Sequence, residues 1–293
     1  MTTISAQRSS TLPLAAATPY LALACSITSF CVGTSFGKQL FPLVGAPGAV
    51  AYRVGFSALL LVLAFRPWRQ AITRDGLMAV MRYGAVLGLM NLCFYMALRS
   101  IPLGLAIAIE FLGPLTVSLM TSRRPAHFAM VGLAAAGLAL LLPWQGASHA
   151  LDPMGVIFGL GAGLFWGLYI IFGKRAAHVP SGQAVSLGMT TAALIVVPIG
   201  VVDAGSALLS PALVGMGLAT ALLSSSIPYT LEMVAMKSIP ANRFGVLMSV
   251  EPAVGALAGA LLLGEHLAGL QWLAVALVVM ASVGSVVMGD RKA

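Results

Sequence analysis

The chain has 293 residues, of which 59% are hydrophobic and only 8% are charged. Soluble globular proteins carry about a quarter of their residues as charged ones, so this chain cannot cover a water-facing surface and the soluble class is excluded. With a mean hydropathy of +0.99, the sequence predicts an all-α integral membrane protein that crosses the bilayer many times.

Apolar runs long enough to cross a bilayer recur along the whole chain. A helix needs about 20 apolar residues to cross a hydrocarbon core of roughly 30 Å, and irregular backbone cannot face lipid. The first run is long and leads directly into a second, so it predicts a helix and not a cleaved signal peptide. Polar tails precede and follow the runs, at 1–17 and 289–293. Ten transmembrane helices are predicted, over 18–36, 47–65, 78–98, 102–121, 126–142, 154–172, 184–202, 212–233, 244–263 and 269–288.

The basic residues are distributed unevenly between the two sides of this predicted bundle. If the N-terminus is cytoplasmic, 13 of the 16 lysines and arginines fall at the cytoplasmic side, while Lys38 and Arg99 fall outside and Arg53 lies within a span. This asymmetry follows the positive-inside rule and predicts that both termini are cytoplasmic. Topology therefore accounts for the net charge of +8, and no nucleic-acid partner is predicted.

Short motifs repeat at a nearly constant distance along the chain. The segment ALRSIP at 97–102 returns as AMKSIP at 235–240, an offset of 138, and FGK at 36–38 returns at 172–174, an offset of 136. The matches predict two halves of five helices each, over 18–146 and 150–288. Because five is odd, the second half enters the membrane from the opposite side. Inverted repeats of this kind are typical of secondary transporters, whose binding site lies near the midplane where the halves meet.

Glycines at four-residue spacing predict close helix contacts in the second half. Small residues let transmembrane helices approach each other closely. Gly155, Gly159, Gly163 and Gly167 form a stripe along one face of the sixth predicted helix. A shorter pair, Gly255 and Gly259, lies in the ninth.

Three ionisable residues lie well within predicted spans: Arg53, Glu110 and Glu251. A charged side chain at a helix centre costs roughly 2.5–3.5 kcal/mol on insertion scales, so such residues face the bundle interior and mark a substrate or ion pathway. For Glu110 the alternative is a static ion pair with Arg53 that orients two helices. For Glu251, which precedes Pro252, the alternative is a carboxylate that satisfies backbone donors at a helix break.

Further polar and aromatic residues are candidates to line a binding cavity. Asn91 and Tyr95 are four apart and share a face of the third predicted helix, and Trp166 and Tyr169 lie inside the sixth. For the aromatic residues, simple packing in the interior is the alternative interpretation. Three consecutive serines, 224–226, fall in the middle of the eighth predicted helix.

Glu232 and Glu265 are interpreted as helix-end charges, beside Lys237 and His266 respectively. No enzyme, cofactor or metal site is predicted. The four histidines have no metal-ligand spacing, the three cysteines form no metal or redox motif, and no nucleophile or phosphate-loop motif is present.

Several motifs carry a resemblance to a known family. The pattern EPAVGALAGALLLGE at 251–265 is similar to the Glu-Pro…Leu-Gly-Glu motif of the EamA branch of the drug/metabolite transporter superfamily. The first half departs from that motif, since it reads SLMTSRRP at 118–125 and carries Glu110 earlier. An exporter group within this branch is similar over GKQLFPLVGAPGAVAYRVG (37–55), FRPWR (65–69), IPLGLAIAIEFLGPL (101–115), SRRP (122–125), IPYTLEMVAM (227–236) and RFGVLMSVEPA (243–253).

The resemblance implies a secondary active transporter of the bacterial inner membrane that exports threonine, homoserine and related amino acids by proton antiport. Its partners are then a small zwitterionic substrate, protons and the lipid bilayer. Arg53 is expected to bind the substrate carboxylate and Glu110 the ammonium group, with Glu110 or Glu251 exchanging the proton. Efflux of another metabolite or a drug, a lipid-modifying membrane enzyme and a passive channel are the alternatives. The sequence leaves a homodimer open.

Overall fold

The computed structural model describes residues 14–120, 152–239 and 247–290, with isolated positions at 129, 132, 133, 136, 137, 140 and 244. Within these residues the structure is helical and contains no strand. The earlier part of the chain forms α1 (Leu14–Gln39), α2 (Phe41–Phe65), α3 (Arg74–Ala97), α4 (Leu103–Glu110) and α5 (Leu112–Met120). The later part forms α6 (Pro153–Arg175), α7 (Ser181–Ala204), α8 (Pro211–Ala221), α9 (Ile227–Ser238), α10 (Glu251–Leu263) and α11 (Gly269–Asp290).

Six helical segments in the described residues are long and apolar enough to cross a membrane. They are Thr18–Gln39, Phe41–Arg69, Arg74–Ala97, Pro153–Arg175, Ser181–Leu209 and Pro211–Ser238. Shorter apolar helices occur at Leu103–Pro114, Glu251–Leu263 and Gly269–Ala281, which fall within three further predicted spans. Most of the predicted span 126–142 lies outside the described residues. The prediction of an all-helical membrane protein is confirmed.

Two of the long segments contain breaks in regular α-helix. Gly45 has φ +67° and ψ 173°, a conformation that residues with a Cβ rarely adopt, and it separates the first turn of α2 from the apolar helix beyond it. A short π-helix, Leu222–Ser226, joins α8 to α9. π-helices often occur at functional sites because their changed hydrogen bonding exposes backbone groups. The three serines of the sequence motif lie in this π-helix.

The glycine stripe on α6 packs directly against α4 and α5. A Cβ added at Gly163 would lie 2.7 Å from the backbone oxygen of Glu110, and one added at Gly113 would lie 1.8 Å from the backbone oxygen of Gly163. Gly159 packs against Ile109 in the same way. The predicted close contact is therefore present, and it places the end of α4 against the middle of α6.

Side-chain contacts tie the helices together at both ends of the bundle. At one end, the Nζ of Lys38 forms an ion pair of 2.6 Å with Oε1 of Glu265, whose Oε2 accepts a hydrogen bond of 2.9 Å from the backbone nitrogen of Leu103. Glu265 is therefore an inter-helix contact, whereas the sequence analysis paired it with His266. At the end where α6 leads into α7, Lys174 donates to the backbone oxygens of Met236 and Ile239.

Candidate functional site

Arg53 lies in α2 with no exposed surface and is held by groups of the π-helix and α9. Its Nε donates to Oγ of Ser225 at 2.7 Å, and one terminal nitrogen, Nη2, donates to the backbone oxygen of Ser224 at 2.8 Å. The same Nη2 donates to the hydroxyl of Tyr229 at 3.2 Å. Three neutral acceptors therefore stabilise the buried guanidinium, and two of them come from the π-helix.

Three aromatic rings surround the guanidinium of Arg53. Its Cζ lies 5.0 Å from the ring centre of Phe30, 5.1 Å from that of Tyr95 and 5.9 Å from that of Tyr229. Aromatic faces attract a cation within about 6 Å, and more strongly when water is excluded. The other terminal nitrogen, Nη1, is buried without a hydrogen-bond partner in the described part of the chain. This terminal nitrogen of the guanidinium is thus available to hydrogen-bond an anion.

Arg53 and Glu110 do not form an ion pair. Among the described residues, the only pair with a nitrogen–oxygen distance of 4.0 Å or less is Lys38–Glu265. The carboxylate of Glu110 accepts no hydrogen bond from any described residue, although only 4% of the residue is exposed. A static pair that orients two helices, the alternative left open by the sequence, is therefore absent in this conformation.

Three buried glutamates line one small cavity in the bundle interior, which we call the carboxylate cavity. Its volume is about 20 Å³, enough for about one water molecule. No basic side chain lines it, and Arg53 lies behind two of its aromatic walls. The lining residues are Phe30, Met90, Glu110, Trp166, Tyr229, Glu232, Met248 and Glu251. An acidic cavity with aromatic walls suits a cationic group. A ligand larger than one water molecule enters only if the walls of the cavity separate.

Glu232 is the charged residue of this cavity that the sequence analysis missed. The residue is only 4% exposed. Its Oε1 accepts a hydrogen bond of 3.0 Å from the hydroxyl of Ser26 on α1, and its Oε2 accepts one of 2.8 Å from the hydroxyl of Tyr169 on α6. The interpretation as a helix-end charge beside Lys237 is wrong, since Lys237 donates instead to the backbone oxygen of Val179 at 2.7 Å. The spacing of Tyr229 and Glu232, three residues apart on one helix face, was an available signal.

Glu251 lies at the start of α10, where 3% of the residue is exposed. Its Oε2 is buried and has no hydrogen-bond partner in the described part of the chain. The alternative role, in which this carboxylate satisfies backbone donors near Pro252, is therefore not seen for that oxygen. Glu251 shares the carboxylate cavity with Glu110 and Glu232.

The remaining candidates from the sequence lie around the same centre. Asn91 is buried, donates to the backbone oxygen of Leu87 at 2.7 Å and accepts a hydrogen bond of 3.1 Å from Tyr229. Tyr95 packs on the guanidinium of Arg53, and Trp166 lines the carboxylate cavity. Tyr169 contacts the cavity through Glu232. All seven candidate residues are buried and gather in one region of the interior.

Three larger grooves lie elsewhere among the described residues, and the largest of them, of about 320 Å³, is lined by Arg99 and Asp203 at the start of α2. The other two carry no charged side chain. One of about 280 Å³ runs between α5 and α6, and one of about 260 Å³ lies beside α1. Both are lined almost entirely by apolar residues, as expected of surfaces that contact lipid or neighbouring helices. Arg99 and Asp203 are exposed, whereas the three glutamates of the carboxylate cavity are buried, and we therefore take that cavity as the candidate site.

The fold and the buried charges agree with what comparison with known proteins finds. The model of the EamA-like transporter family matches residues 153–287. One solved crystal structure of a protein shares the fold, with a TM-score of 0.62 and 21% identity over 94% of this chain and 99% of the other. The matched family is one of transporters, and the solved structure shows the fold alone. Relatives that are named as exporters also match the chain, which shows that the class is a membrane transporter and not an enzyme.

Named relatives match almost the whole chain. The threonine/homoserine exporter RhtA of Salmonella typhimurium LT2 is 44% identical over 275 residues, which are 94% of this chain and 93% of the relative. RhtA of Escherichia coli K12 is 44% identical over 268 residues, which are 91% of this chain and 90% of the relative. The chain belongs to the EamA-like transporter family, among relatives that are threonine/homoserine exporters.

Proposed function

We propose that the protein exports small neutral amino acids, threonine and homoserine among them, from the cytoplasm by proton antiport. One observation carries this proposal. The buried guanidinium of Arg53 has a terminal nitrogen without a hydrogen-bond partner in the described residues, and the buried carboxylates nearby do not form an ion pair with it. Unpaired charges in a membrane interior are costly. An arrangement in which a guanidinium and a carboxylate are both free to bind a ligand therefore fits a zwitterionic ligand, which carries one charge of each sign. The names of the relatives supply the amino acids.

The proposed architecture has ten transmembrane helices in two inverted halves, over 18–146 and 150–288. Helix packing supports this symmetry. The third helix of the first half, α3, packs on α6, the first helix of the second half, while α1 packs reciprocally on α9. The second helices, α2 and α7, pack on each other, as do α4 and α10. Exchange of the two halves therefore leaves this set of contacts unchanged.

The repeated motifs also make equivalent contacts at opposite ends of the bundle. Lys38, in the first FGK motif, donates to the backbone oxygen of Ile101 in ALRSIP at 3.4 Å. Lys174, in the second FGK motif, donates to the backbone oxygen of Ile239 in AMKSIP. This correspondence supports a duplication in which each lysine closes one end of the transporter.

In the proposed binding mode the guanidinium of Arg53 binds the substrate carboxylate through its free Nη1. Guanidinium–carboxylate pairs are strong because charge and hydrogen bonding combine. Glu110 binds the substrate ammonium, since its carboxylate faces the cavity without a hydrogen bond from the described residues. Asn91 and Tyr95 border the carboxylate end, and Trp166 and Tyr169 border the ammonium end.

Transport then requires the two halves to rock around this site, as in other inverted-repeat transporters. The carboxylate cavity is too small for an amino acid, so the conformation described is closed around the site. Glu251, or Glu110 itself, exchanges a proton when the substrate leaves. The proposed location is the bacterial inner membrane, with both termini cytoplasmic. A homodimer is one proposed assembly of the protein.

Counterflow in proteoliposomes tests this proposal. Vesicles are preloaded with unlabelled threonine, labelled threonine is added outside, and its transient accumulation is followed; homoserine, serine, leucine and a cationic dye are then compared. Accumulation with threonine and homoserine is the expected result. Uptake of the dye without counterflow of any amino acid would assign the protein to drug efflux and overturn the zwitterion argument. Flux without counterflow would indicate a channel.

A further inference from the structure

Glu232 is a carboxylate in the candidate site to which the proposed function gives no role. It differs from Glu110 and Glu251 because both of its oxygens lie within hydrogen-bond distance of a hydroxyl, Oε2 near that of Tyr169 and Oε1 near that of Ser26. The single hydrogen of the Ser26 hydroxyl is shared with the backbone oxygen of Pro228 at 3.1 Å. The two donors lie on α1 and α6, so the carboxylate is fixed from two sides. The side chain nevertheless lines the carboxylate cavity. It is therefore oriented by the protein and still in contact with the space where a ligand binds.

The remaining hydrogen-bonding capacity of Glu232 is sufficient for a hydroxyl donor. An ionised carboxylate offers about four lone-pair sites and donates nothing. Two of these sites are occupied by Ser26 and Tyr169. An ammonium group brings three hydrogens and matches Glu110 better, because that carboxylate accepts no hydrogen bond from the described residues. About two sites remain on Glu232, and a hydroxyl, which donates one hydrogen, needs only one of them.

Glu232 is linked to Arg53 through Tyr229. Tyr229, which contacts the guanidinium at 3.2 Å, lies three residues before Glu232 on α9. The Cβ atoms of residues at this spacing lie about 5–6 Å apart on one helix face, so Glu232 and the group that contacts Arg53 share one face of α9. Phe30, Met90 and Met248 form apolar walls in the same cavity, where the carbon atoms of a short aliphatic side chain would pack.

We propose that Glu232 is the specificity-determining residue that accepts a hydrogen bond from the side-chain hydroxyl of the substrate. The assignment rests on the proposed function, and it gives a physical reason for a preference shared by threonine and homoserine, which both carry a side-chain hydroxyl. A site built to hydrogen-bond a hydroxyl rejects the analogue without it far more strongly than an apolar pocket does. Ser26 and Tyr169 are positioning residues for this carboxylate.

Competition in the counterflow assay with substrate pairs that differ only at the hydroxyl tests the assignment. Threonine is compared with valine, and homoserine with norvaline, each by the concentration that halves accumulation of labelled threonine. We expect the wild-type protein to prefer the hydroxyl member of each pair by at least about tenfold. Glu232→Met, which removes the acceptor while keeping an unbranched side chain, is expected to reduce the preference to within about twofold, mainly by weakening the hydroxyl member.

Two milder variants keep the test decisive where Glu232→Met does not fold. Glu232→Gln retains one acceptor oxygen and Tyr169→Phe removes one orienting donor, so both are expected to give an intermediate preference. Tyr20→Phe is the control, because Tyr20 is exposed and does not line the carboxylate cavity. Its preference is expected to equal that of the wild type.

The possible outcomes separate this assignment from the proposed function. An unchanged preference in variants that still transport overturns the assignment alone, as does a lack of preference in the wild-type protein. Equal weakening of both members of a pair also overturns it, because it indicates ammonium binding or a purely structural role for Glu232. An absence of counterflow by the wild-type protein with every amino acid overturns the proposed function, and the assignment with it.

Discussion

The hydroxyl of Tyr229 donates a hydrogen bond of 3.1 Å to Oδ1 of Asn91, and the two residues are 138 positions apart in the chain. That separation equals the offset between ALRSIP and AMKSIP. Equivalent positions of the two proposed halves thus contact each other directly, which happens only at a symmetry axis. The same hydroxyl also accepts a hydrogen bond from Arg53. The buried guanidinium is therefore attached to the centre of the proposed rocking motion.

Removal of the Tyr229 hydroxyl is expected to weaken substrate binding without unfolding the protein. Tyr229→Phe keeps the ring beside Arg53 but deletes one contact to the guanidinium and one to Asn91. A hydrogen bond to a charged group contributes about 1.5–3 kcal/mol, so we expect the half-saturating threonine concentration in counterflow to rise roughly tenfold or more. Tyr20→Phe, at an exposed position, is the control. An unchanged half-saturating concentration would show that Tyr229 does not position Arg53.

A positive charge at position 53 is not expected to be sufficient for transport. Arg53→Lys replaces a planar fork by a single ammonium, which cannot bind Ser225, the backbone of Ser224 and a substrate carboxylate in the same geometry. We expect counterflow to fall at least about tenfold while the purified variant still elutes as a monodisperse peak. Arg69→Lys, at an exposed site, serves as the comparison and should transport normally. Full transport activity of Arg53→Lys would contradict the proposal that the guanidinium binds the substrate carboxylate.

The sequence predicted the helices and most of the site because the membrane imposes simple constraints on both. Hydropathy places helices within a few residues, as for α3 and α7, and an ionisable residue inside a span must face the interior, as Arg53, Glu110 and Glu251 do. The glycine stripe of α6 was likewise readable, because four-residue spacing places small residues on one face.

Contacts between distant residues were not predictable in the same way. Glu232 looked like a helix-end charge because Lys237 follows it by five residues, whereas its partners are Ser26, 206 positions away, and Tyr169, 63 positions away. The π-helix that presents Ser224 and Ser225 to Arg53 has no distinct hydropathy signal. Such features depend on tertiary packing, which a pattern along one helix does not contain.

Glu110 and Glu251 are expected to respond differently to neutralisation. Glu110→Gln should abolish counterflow while expression and folding stay near normal, because its carboxylate is proposed to bind the ammonium group and carries no hydrogen bond within the described residues. Glu251→Gln should retain counterflow, which needs no net proton movement, but lose accumulation driven by an imposed pH gradient. Both activities are measured in the same proteoliposomes.

The exposed Asp75, changed to Asn, provides the control for both glutamate variants. Full transport by Glu110→Gln would exclude its proposed role in ammonium binding. Gradient-driven accumulation by Glu251→Gln at the wild-type rate would assign the exchanged proton to Glu110 alone, because Glu232 is held by two hydroxyl groups in the described conformation.

Two neighbouring glycines of α6 offer a matched test of how tightly the site is packed. A Cβ at Gly163 would lie 2.7 Å from the backbone oxygen of Glu110, so Gly163→Ala must displace the end of α4. A Cβ at Gly161 would meet its nearest neighbour, Sγ of Cys93, at 3.5 Å, an ordinary contact.

Overpacking a well-packed interior costs typically about 1–3 kcal/mol, so the melting temperature in detergent should fall for Gly163→Ala and stay within error for Gly161→Ala. Because the displaced segment carries Glu110, counterflow should fall in parallel. Equal melting temperatures and equal transport for the two variants would mean that α4 and α6 are not held at this distance in the membrane.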